Sequence, residues 1–294
     1  MNHAGEIAAL AVALCWTISA IALEIASKRG GSLSVNFIRL ILSFAMISVF
    51  TLLVRGKLMP FDASAHQWLW LLLSGVVGFV IGDYFLFKAF ISIGSRLSMV
   101  VMTTAPLLAS LGGFLFLNEN LKFLQIVAMS ITLLGVVLAI YSRRTSNQAA
   151  HWSTKGVLFG FGGALGQAGG LLLSKYGMEQ YDAFAATQIR LIAGIVGFFI
   201  LLVMMRKVKE SFNSFNDRKA ISGITLGAFF GSFLGVGLSL YAIQRTSTGV
   251  ASAIMSIVPI LIIVPSVFVL KQKVKFIEII GAILSVIGVI LFFI

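Results

Sequence analysis

The sequence predicts an all-α polytopic membrane protein with ten transmembrane helices arranged as two inverted five-helix repeats. Three observations predict this fold class: an apolar composition, recurring apolar runs of membrane-spanning length, and a long internal repeat. Of the 294 residues, 59% are hydrophobic and only 11% are charged, and the mean hydropathy is +1.03. Runs of about 20 apolar residues recur, which is the length that a helix needs to cross a hydrocarbon layer about 30 Å thick. A soluble domain of this length would carry much more charged surface.

The internal repeat relates the two halves of the chain at a spacing of 153 positions. A repeat at a fixed long spacing indicates one structural unit that is used twice. Matched residues include Gly78 and Gly231, Gly82 and Gly235, Ala89 and Ala242, and Pro106 and Pro259. Arg39 returns as Arg190 at a spacing of 151 positions, and such small differences in length are tolerated in loops. We therefore expect a first repeat at 1–142, a linker loop at 143–154 and a second repeat at 155–294.

Five helices are expected in the first repeat, because backbone polar groups in lipid must be satisfied within the segment itself. They cover residues 6–27, 34–54, 67–91, 95–117 and 122–142. The first run lacks a basic leading region and a small-residue cleavage site, so it is a helix and not a signal peptide. The second run carries Arg39. Only a few residues separate the third run from the fourth, which predicts an antiparallel hairpin, and the fifth run completes the repeat.

The second repeat contains five equivalent helices. They cover residues 155–175, 183–205, 219–243, 248–270 and 275–294. The longest connections, 143–154 and 206–218, are polar and basic, so no extramembrane domain is expected. Because each repeat has an odd number of helices, the second must enter the membrane from the opposite side. This arrangement is typical of secondary transporters.

The composition argues against two other classes of function. The chain has no cluster of histidine and cysteine with metal-ligand spacing, no phosphate-binding loop and no nucleophile beside a base, so no enzyme, cofactor or metal is predicted. The formal net charge of +12 would indicate nucleic acid in a soluble protein. Here the basic residues lie mostly between apolar runs, where they set membrane topology. The expected partners are a small-molecule substrate, the lipid bilayer and protons, with the oligomeric state left open.

A series of short motifs follows the chain in a fixed order. The series comprises Arg39, Gly82-Asp83-Tyr84 with Phe87-x-Ala89, Ile93-Gly94, Pro106, Phe116-Leu117-x-Glu119, Gly135-Val136, Arg190 and Gly288-Val289. Together with the duplication, this order resembles the EamA-type branch of the drug/metabolite transporter (DMT) superfamily over essentially the whole chain. The resemblance implies efflux of small metabolites, amino acids among them, by alternating access across a bacterial-type inner membrane. The second half departs from the pattern at Gln272, which stands where Glu119 would repeat.

Charged residues inside the helices are the sharpest functional candidates, because each costs about 2.5–3.5 kcal/mol to insert at the bilayer centre. Asp83 lies deepest among the acids. Its carboxylate could bind a substrate ammonium or carry a proton, or it could form a structural ion pair with Lys88 or an arginine. Tyr84 and Lys88 are four residues apart and share a helix face. Lys88 could line a substrate path or extend its amine to the membrane interface.

Two equivalent arginines have different expected surroundings. Arg39 and Glu24 lie near the same membrane surface on consecutive helices, so we expect an interhelical ion pair between them, with Glu24–Lys28 as the alternative. Leu171 stands where the second repeat would match Glu24. Arg190 therefore lacks such a partner and is freer to meet an anionic group.

Further candidates are polar or aromatic residues within the helices. They are the glutamines Gln167, Gln188 and Gln244, which could line a polar path, and Trp16, Tyr84 and Tyr241, which could stack on a substrate. Plain packing is the alternative for each. Asp83 and Lys88 are matched by Val236 and Tyr241, and residues that break the repeat are the better candidates for recognising an asymmetric substrate. The matched prolines, Pro106 and Pro259, predict helix bends that could also act as gates.

The leading functional prediction is a secondary transporter that exports small polar metabolites such as amino acids. A passive facilitator of the same fold, without ion coupling, is the alternative. A third class is a membrane enzyme or a lipid flippase. A transporter of this fold is expected to hold a central polar cavity lined by the first, third, fourth, sixth, eighth and ninth helices, with Asp83 or Tyr84 on its wall.

Overall fold

The computed structural model describes residues 3–108, 111, 123–144, 153–209, 217–246, 251 and 254–292, and all regular elements within these ranges are helical. The motif ending at Glu119 and most of the 143–154 linker lie outside the described residues. The protein is a multi-pass membrane protein, because seven of the described helices are long and apolar enough to cross a bilayer. Two shorter apolar helices follow, at Val258–Phe268 and Phe276–Leu291. The count of ten helices and their inverted arrangement stay predictions.

In the first half, the described residues form five α-helices and one π-helical segment. They are α1 (Ala4–Gly30), α2 (Ser32–Arg55), α3 (Ala65–Gly75), the first π segment (Val76–Asp83), α4 (Tyr84–Met102) and α5 (Phe123–Arg144). Gly31, with φ 76° and ψ 149°, makes the tight turn between α1 and α2. Ser64 and Gln67 form a reciprocal capping box at the start of α3, which satisfies donors that a helix N-terminus leaves free.

The second half repeats this order. It comprises α6 (Thr154–Met178), α7 (Ala183–Met204), α8 (Arg218–Leu226), the second π segment (Gly227–Gly235), α9 (Val236–Arg245), α10 (Val258–Leu261), α11 (Ile263–Phe268) and α12 (Phe276–Phe292). Side chains cap three of these helices at their first turns, from Ser153, Asp182 and Asp217. The two π segments occupy matching stretches of the repeat.

The expected boundary between the third and fourth predicted helices falls at Gly94. The helical span Ala65–Met102 is interrupted there, since Gly94 has φ 80° and ψ 160°. This backbone region is open almost only to glycine. One glycine therefore separates the two helical segments without a longer loop, and their antiparallel arrangement stays a prediction.

The helices pair in the same way when the two halves are exchanged. α1 packs along α8, the second π segment and α9, and α6 packs along α3, the first π segment and α4. α2 packs on α7, and α5 packs on α12. Glycines permit the closest approaches: a carbon added at Gly166 would come within 2.4 Å of the Cα atom of Gly82. Close backbone approach of this kind drives helix association in lipid.

Candidate functional site

A cavity of about 210 Å³ lies at the centre of the helix assembly, between the two halves. Its wall includes residues of α1, α4, α6 and α9 and of both π segments, together with Pro106 and Pro259. α2 and α7 also contribute, with Arg39 and Arg190, so more helices reach the cavity than the sequence predicted. Most of the wall is apolar. Among the described residues, its charged members are Arg39, Asp83 and Arg190.

Asp83 ends the first π segment and accepts hydrogen bonds at both carboxylate oxygens. Arg39 Nη2 donates to Oδ2 at 2.5 Å, and Gln167 Nε2 donates to Oδ1 at 2.9 Å. Asp83 and Arg39 are each 4% exposed. The pairing brings together α2, the first π segment and α6, which are distant in sequence. A buried charge persists only when it is paired and hydrogen-bonded in this way.

Further groups fix the guanidinium of Arg39. Nη2 also donates to Asn36 Oδ1 at 2.9 Å, and Nη1 donates to Ser232 Oγ at 2.6 Å. The guanidinium carbon lies 5.0 Å from the centre of the Phe87 ring. Arg39 is therefore held by an ion pair, two neutral acceptors and an aromatic face.

The expected ion pair between Glu24 and Arg39 is wrong. Glu24 is fully buried and accepts hydrogen bonds from Lys28 Nζ at 2.5 Å and from the Ser95 backbone N–H at 2.6 Å. The physical reason lies at Gly94, where the helix is interrupted and the following N–H groups need an acceptor. Glu24 supplies it, and Arg39 reaches inward to Asp83.

Arg190 occupies the cavity wall in a different state. Its guanidinium carbon lies 4.9 Å from the centre of the Phe79 ring, and the residue is 4% exposed. Nε is buried and makes no hydrogen bond to any described residue. The ring face attracts a cation through its quadrupole, but it accepts no conventional hydrogen bond. The expectation that Arg190 lacks an acidic partner within hydrogen-bonding distance agrees with this placement.

The other predicted residues divide between the cavity and its surroundings. Trp16 and Gln167 lie on the cavity wall. Tyr84 and Lys88 lie outside the described lining, where Lys88 Nζ sits 4.7 Å from the centre of the Tyr84 ring. Tyr241 also lies outside that lining, and the guanidinium carbon of Arg245 lies 5.0 Å from the centre of its ring.

Two of the glutamines donate hydrogen bonds to carbonyls in connecting loops and take no part in the described cavity wall. Gln188 Nε2 donates to Ser48 Oγ and to the Leu58 carbonyl. Gln244 Nε2 donates to the Tyr181 carbonyl at 2.8 Å. In this surface loop, burial and a hydrogen bond to a neighbouring carboxylate, that of Asp62, raise the pKa of Tyr181 to about 12.

Sequence reasoning missed three residues that shape the site: Asn36, Ser232 and Phe79. Asn36 stands three residues before Arg39 on the same helix, a spacing that places both on one face. Ser232 and Phe79 match each other in the repeat. Comparing the partners of the two arginines position by position would have found this pair.

Comparisons with known proteins agree with this architecture. The family model for the EamA-like transporter family matches residues 3–141 and again residues 154–294. A protein named as an uncharacterized transporter from Haemophilus influenzae is 24% identical over 95% of this chain and 94% of its own length. Another, from Clostridium kluyveri, is 27% identical over 60% of this chain and 56% of its own. One crystal structure shares the fold, with a TM-score of 0.62 and 15% identity, covering 99% of this chain and 96% of that one.

Proposed function

Because the chain belongs to the EamA-like transporter family, we propose that it is a secondary transporter that exports small polar metabolites, amino acids among them. Transport proceeds by alternating access across a cytoplasmic (inner) membrane. The substrate occupies the central cavity, which opens to one side of the membrane at a time. The bilayer is the only further partner that this function requires, unless a coupling ion takes part.

The single observation that carries this proposal is the buried charged cavity. Three ionisable side chains, those of Arg39, Asp83 and Arg190, line a space within helices long enough to span a bilayer. Charges at such depth are expensive, and in membrane proteins they usually mark the path of a substrate or ion. A purely structural bundle would have no need to keep them beside an internal space.

Ten helices in two inverted repeats give this cavity its mechanism. The family match to each half, the helix pairing that survives exchange of the halves and the matching π segments all support this arrangement. Inverted repeats provide two related packings, one open to each side. Pro106 and Pro259 occupy equivalent positions on the cavity wall and are the proposed flexing points.

Proton coupling at Asp83 distinguishes the leading candidate from a passive facilitator. Both oxygens of Asp83 accept hydrogen bonds in this conformation, so a proton reaches the carboxylate after Arg39 or Gln167 moves away. Such an exchange of partners couples protonation to a conformational change. The ion pair between Asp83 and Arg39 is also the observation that favours the facilitator, in which Asp83 only holds Arg39.

Counterflow in proteoliposomes tests the function. Vesicles containing the purified protein are loaded with one unlabelled amino acid at high concentration and diluted into a trace of the same labelled compound, for each proteinogenic amino acid in turn and then for small metabolites. A carrier gives a transient accumulation of label above equilibrium for at least one compound. Product formation without movement of label would instead indicate a membrane enzyme.

A further inference from the structure

We propose that Arg190 binds the carboxylate of a small organic monoanion in the central cavity. This inference rests on the proposed function and narrows its substrate class. Of the charged residues in the described lining, Arg190 is the one that forms no ion pair with a described residue. Its position, its surroundings and its equivalence to Arg39 each support the assignment.

Arg190 is a buried cation whose hydrogen-bonding capacity is unused. It is 4% exposed, its Nε atom is buried, and no described residue accepts a hydrogen bond from its guanidinium. Phe79 lies under one face of the guanidinium at 4.9 Å. The in-plane N–H groups, which form a fork that matches a carboxylate, remain for a ligand. A buried guanidinium in this state is a prepared anion site.

The repeat shows what Arg190 lacks. Its equivalent, Arg39, pairs with Asp83 and donates to Asn36 and Ser232. Around Arg190, the positions that match these three partners in the repeat hold a hydrophobic residue, a short hydroxyl and an aromatic ring. They are Val236 for Asp83, Thr187 for Asn36 and Phe79 for Ser232.

None of these three replacements accepts a hydrogen bond from Arg190. Thr187 donates its own hydroxyl to the Ala183 carbonyl at 2.8 Å, within α7. Val236 and Phe79 have no side-chain acceptor. The same scaffold therefore places two guanidiniums at the cavity, and among the described residues only Arg39 has hydrogen-bond acceptors for its guanidinium.

The charge of the described lining sets the charge of the ligand. Arg39 and Asp83 form an ion pair at 2.5 Å, so the two arginines and one acid leave the described lining with one net positive charge. A monoanion neutralises it. A zwitterion brings an ammonium as well, and the one acid of the described lining, Asp83, is already paired with Arg39. Carboxylates without a free ammonium should therefore bind better than the corresponding amino acids.

The cavity also limits the body of the ligand. A volume of about 210 Å³ corresponds to roughly seven water molecules at about 30 Å³ each, so the ligand is small. Phe79, Phe87 and Phe90 on the wall favour an apolar or aromatic body, with the carboxylate at Arg190. Chloride could satisfy the charge but would leave this apolar space unused.

Thermal unfolding of the purified protein tests the site without requiring transport. The probes are pyruvate, benzoate and phenylacetate, each beside its neutral amide, with phenylglycine as a zwitterion and chloride as an inorganic anion, all at fixed ionic strength. We expect at least one monocarboxylate to raise Tm by about 5 °C near saturation, and its amide, phenylglycine and chloride to raise it far less. A shift that is equal for carboxylate and amide overturns the proposal, and an equal shift by chloride assigns an inorganic anion site and overturns it too.

The variants Arg190→Met and Arg39→Met are a matched pair. Without ligand, R190M should have a Tm no lower than that of the wild type, because it removes a buried cation that is hydrogen-bonded to no described carboxylate. R39M should have a lower Tm, because it leaves the Asp83 carboxylate without its ion-pair partner. R190M should lose the carboxylate-specific shift, and Arg190→Lys should keep part of it. A carboxylate shift that R190M retains in full places the anion elsewhere and overturns the proposal.

Counterflow of the carboxylate with the largest Tm shift separates the two proposals. Carboxylate binding that depends on Arg190, without counterflow, leaves the anion site standing and contradicts the transporter. Counterflow that is equal in wild type and R190M leaves the transporter standing and contradicts the anion site. Counterflow that falls at least tenfold in R190M supports both.

Discussion

Asp83 and Arg39 form the most heavily connected pair of side chains in the described cavity. Asp83 accepts from Arg39 and Gln167, and Arg39 also donates to Asn36 and Ser232. A buried pair with this many partners holds three helices in one arrangement. Removing one member leaves the other charge without compensation, which is costlier than replacing both.

Asp83→Asn should abolish the pH dependence of transport while substrate exchange persists, because an amide neither binds nor releases a proton in this range. The variant should also lower the free energy of unfolding by on the order of 3 kcal/mol, since Arg39 loses its carboxylate. Transport is measured in proteoliposomes at several external pH values, and stability is measured by thermal unfolding.

The double variant Arg39→Met with Asp83→Leu controls for the stranded charge. It should recover most of the stability that Asp83→Asn loses, while the pH dependence of transport remains absent. If the pH dependence of transport is unchanged in Asp83→Asn, Asp83 does not carry the coupling proton, and the chain is assigned to the passive facilitators.

The residues of the site were predictable to different degrees. The sequence predicted that Arg190 lacks an acidic partner because Leu171 replaces Glu24, but this reason was wrong, since Glu24 does not pair with Arg39. The replacement that matters is Val236, which stands where Asp83 would repeat. The partner of Arg39 did not follow, because sequence proximity favoured Glu24 on the neighbouring helix. Glu24 instead accepts a hydrogen bond from the Ser95 backbone N–H, which lacks a helical acceptor because the helix is interrupted at Gly94. Partners that lie on separate helices depend on helix rotation, which a single sequence does not specify.

At the scale of elements, glycines set how closely the helices approach. α5 and α12 cross at Gly135, where an added carbon would come within 2.4 Å of the Ser285 backbone nitrogen and 2.7 Å of the Gly281 carbonyl oxygen. Both obstacles are backbone atoms, which cannot rotate away. At Gly169, an added carbon would meet only the Val77 side chain, at 3.0 Å. The two glycines therefore differ in what a methyl group would displace.

Gly135→Ala should destabilise the protein by about 1–3 kcal/mol through overpacking of α5 against α12. Gly169→Ala is the matched control and should be close to neutral, because alanine favours the helix and a side chain can shift. Both are compared with wild type by thermal unfolding in one detergent. Equal losses for the two variants would contradict the account of helix approach.

Element boundaries were predictable where apolar runs ended in basic or glycine-containing stretches. α1, α2, α6 and α7 begin and end within a few residues of their predicted limits. The π segments were not predictable, because the sequence pattern of an α-helix with one widened turn differs little from that of a regular one. Their identical placement in both halves reflects the repeat, and π turns are frequent at functional sites.

At the scale of the whole molecule, the duplication explains both the common scaffold and the asymmetric cavity. Paired helices and glycines persist in both halves, whereas the partners of the two arginines do not. The membrane class followed directly from composition and run length. The cavity did not, because its wall depends on where helices from both halves meet. The central claim is that this internal space is exposed alternately to the two sides of the membrane.

Cysteine accessibility of the cavity wall tests that claim most directly and requires no known substrate. The single native cysteine, Cys15, is buried and is first replaced by serine. Ser256→Cys then places one thiol on the cavity wall, and Ser285→Cys places one in a fully buried position outside the described wall. Each variant is treated with a membrane-impermeant thiol reagent in right-side-out and in inside-out vesicles. Alternating access predicts that the thiol at position 256 reacts from both sides and the thiol at position 285 from neither; reaction at position 256 from one side alone would contradict it.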